Sequence, residues 1–293
     1  MQVIFHCGVH CTDEDRLLRC LLRNADSLRA EGVAVPGPSR YRMLLSEVVN
    51  ALEAGTADPD ARDVLLESLL DMPADATHRL VLSHPNLFSV PKLALAGGRL
   101  YRKAEDRLAM MQEVFAGDRV ELYLGLRDMA GFLPAMLAAT PHEGLDAFLS
   151  GADPYSLRWS DLLLRIRAAL PDMPITVWCN EDTPFLWGQI VREAAGVTED
   201  RTILGAYDVF AEIVHQEGAQ RFRAFLKDNP GLTEAQRRRV MAAIIDKYAL
   251  EEALEEELDL PDWDATGLDA LSTGYDQDLA RIAAIPGVRV LAP

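Results

Sequence analysis

The residues that could do chemistry concentrate in one stretch, His6-Cys7-Gly8-Val9-His10-Cys11-Thr12-Asp13-Glu14-Asp15. An apolar run, a glycine and then a helical pattern is how α/β proteins hold phosphate. Free backbone N–H groups and the positive end of the helix dipole face the anion there. Three carboxylates, Asp13, Glu14 and Asp15, stand where that anion would sit. Such residues stabilise a helix start by about 0.3–1 kcal/mol but repel a dianion. The architecture points to nucleotide binding and the charge points away from it. An NTPase loop, G-x-x-x-x-G-K-[ST], needs a second glycine and a lysine, and Gly8 has neither nearby. A zinc site is a further option, because His6, Cys7, His10 and Cys11 are suitable ligands. Strand alternation puts His6 and Cys7 on opposite faces, so at most three converge and no metal is expected. Cys11 at a helix N-terminus is placed for a lowered thiol pKa, which the neighbouring carboxylates oppose. Outside this stretch, His84 and Arg127 stand at the expected carboxyl ends of strands. An arginine at a strand end commonly pairs with a carboxylate, and Asp128 or Glu181 could serve Arg127.

Hydrophobic periodicity supplies the elements that must position these residues. Strands are expected at 3–7, 79–83, 120–126, 175–179 and 288–291, with a short edge segment at 33–35. Helices are expected at 13–30, 41–53, 62–71, 103–115, 129–139, 156–170 and 185–195. Thr12 is the expected N-cap of the first helix, with Asp15 at a capping-box position and Gly32 at the end. Strands separated by helices read as an α/β fold, a three-layer sandwich around a central parallel sheet. Ligand sites in such folds lie at the carboxyl ends of the strands. Those ends are 8–12, 83–86, Arg127 and 180–182. Residues 1–200 are the expected core. Residues 201–293 are the expected helical C-terminal cap, with helices over 207–228, 233–258 and 267–284 and a terminal strand. Arg237-Arg238-Arg239 reads as a solvated helix face. Residues 251–264 carry eight carboxylates.

The net charge of −17 argues against nucleic acid and anionic membranes as partners. It leaves room for a small anionic ligand, which needs only a local basic site. Cysteines at 7, 11, 20 and 179 do not form a disulfide framework. No apolar run approaches the ~20 residues of a membrane helix, and the start lacks a basic signal segment, so a cytoplasmic protein is expected. A homo-oligomer is left open.

The 6–15 stretch resembles the opening of bacterial sulfotransferase-like proteins, roughly His-x-Gly-x-x-Lys-Thr-Gly-Thr-Thr. His6, Gly8 and Thr12 match. Cys11 stands at the lysine, Asp13 at the glycine, and Glu14 and Asp15 at the hydroxyl residues. The likeness continues through Leu21-Leu22-Arg23-Asn24, Leu28 and Glu31-Gly32-Val33, followed by Pro36. Leu124-Gly125-Leu126-Arg127 resembles the family strand that ends in an arginine contacting the donor's 3′-phosphate. Ala135 stands where the family's partner serine lies. Ser83-His84-Pro85 resembles the stretch that carries the catalytic histidine. The segment from Thr176 to Asp182 resembles a later family strand, and the tail pattern Tyr275-Asp276-x-Asp278-Leu279 through Val288 also fits. The resemblance covers most of 1–200 and the tail. It implies a P-loop sulfotransferase-like fold with PAPS as sulfuryl donor. The 5′-phosphosulfate would lie on Gly8, Val9, His10, Cys11 and Thr12, and the 3′-phosphate on Arg127. His84 would serve as base toward a hydroxyl of a carbohydrate or small metabolite. The substitutions in the loop favour a non-catalytic or altered-ligand homologue, a pseudoenzyme. The alternative is an active PAPS-dependent sulfotransferase.

Overall fold

A computed structural model describes residues 1–55, 60–254 and 264–293. Its centre is a six-stranded, all-parallel sheet in the order β2-β3-β1-β4-β5-β6. The strands are β1 (Gln2–His6), β2 (Val33–Ala34), β3 (Arg79–Ser83), β4 (Arg119–Leu126), β5 (Ile175–Cys179) and β6 (Val288–Leu291). Parallel strands with helices on both faces are buried on both sides, which explains their near-continuous apolar runs. Along β1, Val3 and Phe5 enter one core while Ile4 enters the other.

The helices α1 (Arg16–Arg23) and α2 (Ala25–Ala30) follow β1. Next come α3 (Arg42–Glu53) and α4 (Ala61–Leu69), then α5 (Ala104–Val114) before β4. After β4 come α6 (Met129–Ala138), α7 (Leu145–Leu149) and α8 (Trp159–Ala169). The helix α9 (Thr183–Ala195) follows β5. The chain then forms α10 (Asp208–Glu212), α11 (Gln216–Asp228), α12 (Glu234–Tyr248), α13 (Glu251–Leu254) and α14 (Ala265–Ala283). One core packs α3 to α8 and α14 against the sheet, and the other packs α1, α2, α9 and α10. Helices thus cover both faces, giving three layers. Among the described residues no helix is long and apolar enough to cross a membrane.

Several sequence expectations need correction. The first helix does not run unbroken over 13–30, because it starts at Arg16 and is interrupted at Asn24. The Asn24 amide donates to the Cys20 and Leu204 carbonyls and accepts the Leu204 N–H. That side chain competes with the helical ladder and ties the 204 loop to it. The expected helix over 207–228 is two helices, with a break where Val214 bridges Ala249. Thr233 caps α12 through a full capping box with Gln236, and α12 ends at Tyr248. A separate short helix, α13, follows at Glu251–Leu254, while residues 255–258 of the expected helix and most of the acidic run lie outside the described residues. The described residues of 201–293 pack in two ways. Residues around α11 and α12 form their own small core on Phe210, Phe222 and Met241. In contrast, α14 joins the main core and β6 extends the sheet beside β5. Asp278 on α14 is buried and accepts from the Ser160 backbone N–H (3.0 Å) and hydroxyl. It thereby satisfies the first turn of α8, as a helix N-terminus requires.

Candidate functional site

The sheet order puts β1 between β3 and β4. The chain passes from β1 to one side through β2 and β3, then crosses β1 to β4. This is a topological switch, where open α/β sheets bind ligands at the strand carboxyl ends. The loop after β1 sits there, together with the ends of β3, β4 and β5. A cleft of about 440 Å³ at this point is lined by Thr12, Asp13, Arg127, Trp178, Asn180 and Trp187, among others.

The loop itself is strained and tightly tied. Gly8 turns the chain out of β1 at φ 51°, and Cys11, Glu14 and Asp15 have φ of 60°, 49° and 64°. Left-handed conformations of non-glycine residues cost about 1–2 kcal/mol each, so surrounding bonds must hold them. Those bonds are present. The Thr12 hydroxyl donates to the Val9 carbonyl (2.6 Å). Tyr101 accepts the His10 N–H (3.1 Å) and its hydroxyl lies 2.9 Å from His10 Nδ1. Arg127 donates to the Cys11 carbonyl (2.5 Å). Arg42 grips both oxygens of Asp15 (2.9 and 2.5 Å) and also donates to the Ser83 carbonyl. Burial pushes Tyr101 up, and the Arg42 bond holds Asp15 below the usual carboxylate range.

The start of α1 decides what the loop can bind. Thr12 is not its N-cap; Asp15 occupies that position in a left-handed conformation without a side-chain cap bond. Asp13 Oδ1 instead accepts the Leu17 N–H at 2.9 Å. A carboxylate of the chain itself thus accepts a first-turn N–H of the kind that holds anions in phosphate sites.

The two other candidates are placed at the same end of the sheet but differently engaged. Arg127 follows β4, bonded to the loop carbonyl, while Trp159 Nε1 donates to the Arg127 carbonyl. Asp128 caps α6 through Ala130 and accepts from Ser272. Glu181 accepts the Asp128 N–H, and burial pushes its carboxyl up. His84 is buried at 4% exposure. Its Nδ1 accepts from the Asn86 N–H (3.2 Å), and its Nε2 is 3.2 Å from the Arg42 carbonyl. This pattern fixes a neutral tautomer with Nε2–H as donor. Burial, with the Arg42 charge added, lowers its pKa to about 4. Both ring nitrogens are therefore engaged, and base work would require one of these bonds to open.

Two of the four potential zinc ligands, His6 and His10, have other side-chain partners. His6 Nδ1 lies 2.9 Å from the Ser83 hydroxyl, and its ring stacks on Trp178. His10 Nε2 bonds Asn86 Oδ1 (3.1 Å). Among the described residues no group of three metal-binding side chains converges. Sequence reasoning missed Tyr41, Arg42 and Tyr101, which brace the site. Tyr41 donates to the Ser83 carbonyl and accepts the Ser83 N–H, pinning the end of β3. No protein-family model and no curated protein sequence matches the chain.

Proposed function

We propose that the chain is a sulfotransferase-like protein whose donor loop no longer takes PAPS, and whose cleft serves a different ligand without sulfuryl transfer. The observation that carries this reading is the Asp13 carboxylate on the Leu17 N–H. That contact uses the helix N-terminus internally and adds a negative charge where the phosphosulfate would rest. Three features support it. Cys11 stands at the position of the family's lysine, so the loop lacks that cation. The Arg127 guanidinium holds the loop backbone. Both His84 nitrogens are bonded within the chain. The P-loop type of fold is favoured by a central first strand feeding a loop and helix at the switch point.

Calorimetric titration with adenosine 3′,5′-bisphosphate, the desulfated donor, tests the reading. No heat of binding is expected up to millimolar ligand. Micromolar binding that disappears in Arg127→Ala would overturn it and establish the catalytic alternative, acting on a carbohydrate or small-metabolite hydroxyl.

A further inference from the structure

A second cavity, of about 400 Å³, opens beside the end of β3 and shares no lining residue with the cleft at the loop. Among the described residues its polar wall is formed by Arg42, Ser46, Asn50, His84, Asn86 and Arg107, and no Asp or Glu lines it. That composition is unusual in a chain of net charge −17. The local charge count leaves a positive excess. Asp15 neutralises Arg42, while Glu53 is shared between Lys103 (3.1 Å) and Arg107 (3.6 Å). Arg107 Nη1 donates to the Leu87 carbonyl, and its buried Nε faces the Glu53 carboxylate at 3.6 Å, with no hydrogen bond among the described residues. That contact is longer than a hydrogen bond, and Glu53 is shared with Lys103, so the Arg107 guanidinium keeps donor capacity for a closer acceptor in the cavity. At the same cavity Met43 and Val90 are 70% and 40% exposed. Scattered exposed apolar residues need no explanation, but two beside one cationic cavity form an apolar rim.

From this arrangement we propose that the cavity binds a small organic carboxylate with an apolar tail. The carboxylate would lie on the Arg107 guanidinium and the Asn50 amide. The tail would lie on Met43 and Val90. The volume falls within the range of small-ligand sites. The proposal does not depend on the donor-loop reading: the cavity borders the candidate site at Arg42 and His84, but the carboxylate would lie on Arg107 and Asn50, outside the loop cleft.

Calorimetry with hexanoate, acetate and hexylammonium tests it. Saturable binding of hexanoate is expected, with acetate at least tenfold weaker because four methylenes are lost. Hexylammonium, equal in length and opposite in charge, should not bind. Arg107→Met should weaken hexanoate about tenfold by removing a charged donor. Asn50→Asp, at an exposed position, leaves the core untouched and places a negative charge in the cavity wall, so it should weaken hexanoate several-fold. Absence of saturable hexanoate binding overturns the proposal, as does equal binding of hexylammonium. Undiminished affinity in a folded Asn50→Asp protein would also overturn it.

Discussion

The double change Cys11→Lys with Asp13→Gly should convert the loop into an anion site. It removes one negative charge and adds one positive charge beside the start of α1. A phosphate dianion seated ~6 Å away interacts with each unit charge by about 1.4 kcal/mol even at the dielectric of bulk water. Two changes therefore favour binding by about 3 kcal/mol, roughly a hundredfold in affinity. The Leu17 N–H, which Asp13 now holds at 2.9 Å, becomes available as well. The variant should lose some stability, because a helix-terminal bond of this kind contributes about 1 kcal/mol. A fall in Tm of about 2–4 °C is expected on that basis. The assay is titration with adenosine 3′,5′-bisphosphate at two ionic strengths, with binding in the low-salt buffer the tighter. A wild-type protein that binds as tightly as the variant would refute the charge argument. So would a folded variant that gains nothing.

Three other outcomes follow from the bracing of the site. His84 has a folded pKa near 4 against about 6.5 unfolded, so the unfolded chain binds the extra proton between them. Its contribution, at most about 3 kcal/mol, is present above pH 6.5 and lost as pH falls toward 4. Urea midpoints at pH 7 and pH 4.5 should therefore differ less in His84→Gln than in wild type, and an imidazole titrating near its ordinary value would contradict this. Asp15 is held below the usual carboxylate range by Arg42, so its share of stability is present above the unfolded carboxylate pKa and lost as pH falls through the folded value. Thermal melts of Asp15→Asn below pH 4 should be flatter than wild type, by a modest amount given partial solvent exposure. Tyr101→Phe leaves the His10 N–H without its acceptor, at a cost of about 1–3 kcal/mol. The amide of His10 should then exchange faster with deuterium, and unchanged exchange would show that the tyrosine does not hold the loop.

Much of the scaffold was legible because strands buried on both faces leave long apolar runs. Residues 79–83 and 175–179 were expected as strands, and β3 and β5 have those bounds. The end of the first helix at residue 30 and the edge pairing of Val33–Ala34 were readable from Gly32 and the short apolar segment. The break at Asn24 was not, because the amide's second partner, Leu204, is 180 residues away. The bracing of the site was hidden for the same reason. Nothing in the local pattern around Arg42 couples it to Asp15, and Tyr101 reads as one more core aromatic. The candidate residues were legible by type and by strand end, and 8–12, His84 and Arg127 do lie at one end of the sheet. What each side chain holds there depends on packing between distant segments. His84 illustrates this, since its two partners come from α3 and the turn that follows β3.

The loop separates two properties that a phosphate site normally combines. Its shape is costly, with four left-handed residues between 8 and 15. That cost is met by ties from β4, α3 and the 101 turn, none of which involves the Asp13 carboxylate. Its charge is set by three carboxylates, of which Asp15 is tied to another element through Arg42 and Asp13 only to the start of α1 through the Leu17 N–H. Changing the charge therefore need not collapse the shape. If the conformation depended on the Asp13 bond, the loop would unfold in Asp13→Gly and no anion could bind. If it depends on Tyr101, Arg127 and Arg42, the same backbone should accept either charge. Amide exchange at residues 9–12 in Asp13→Gly distinguishes these cases. Retained protection would show that the fold supplies the cradle and the acidic turn alone decides what may enter it.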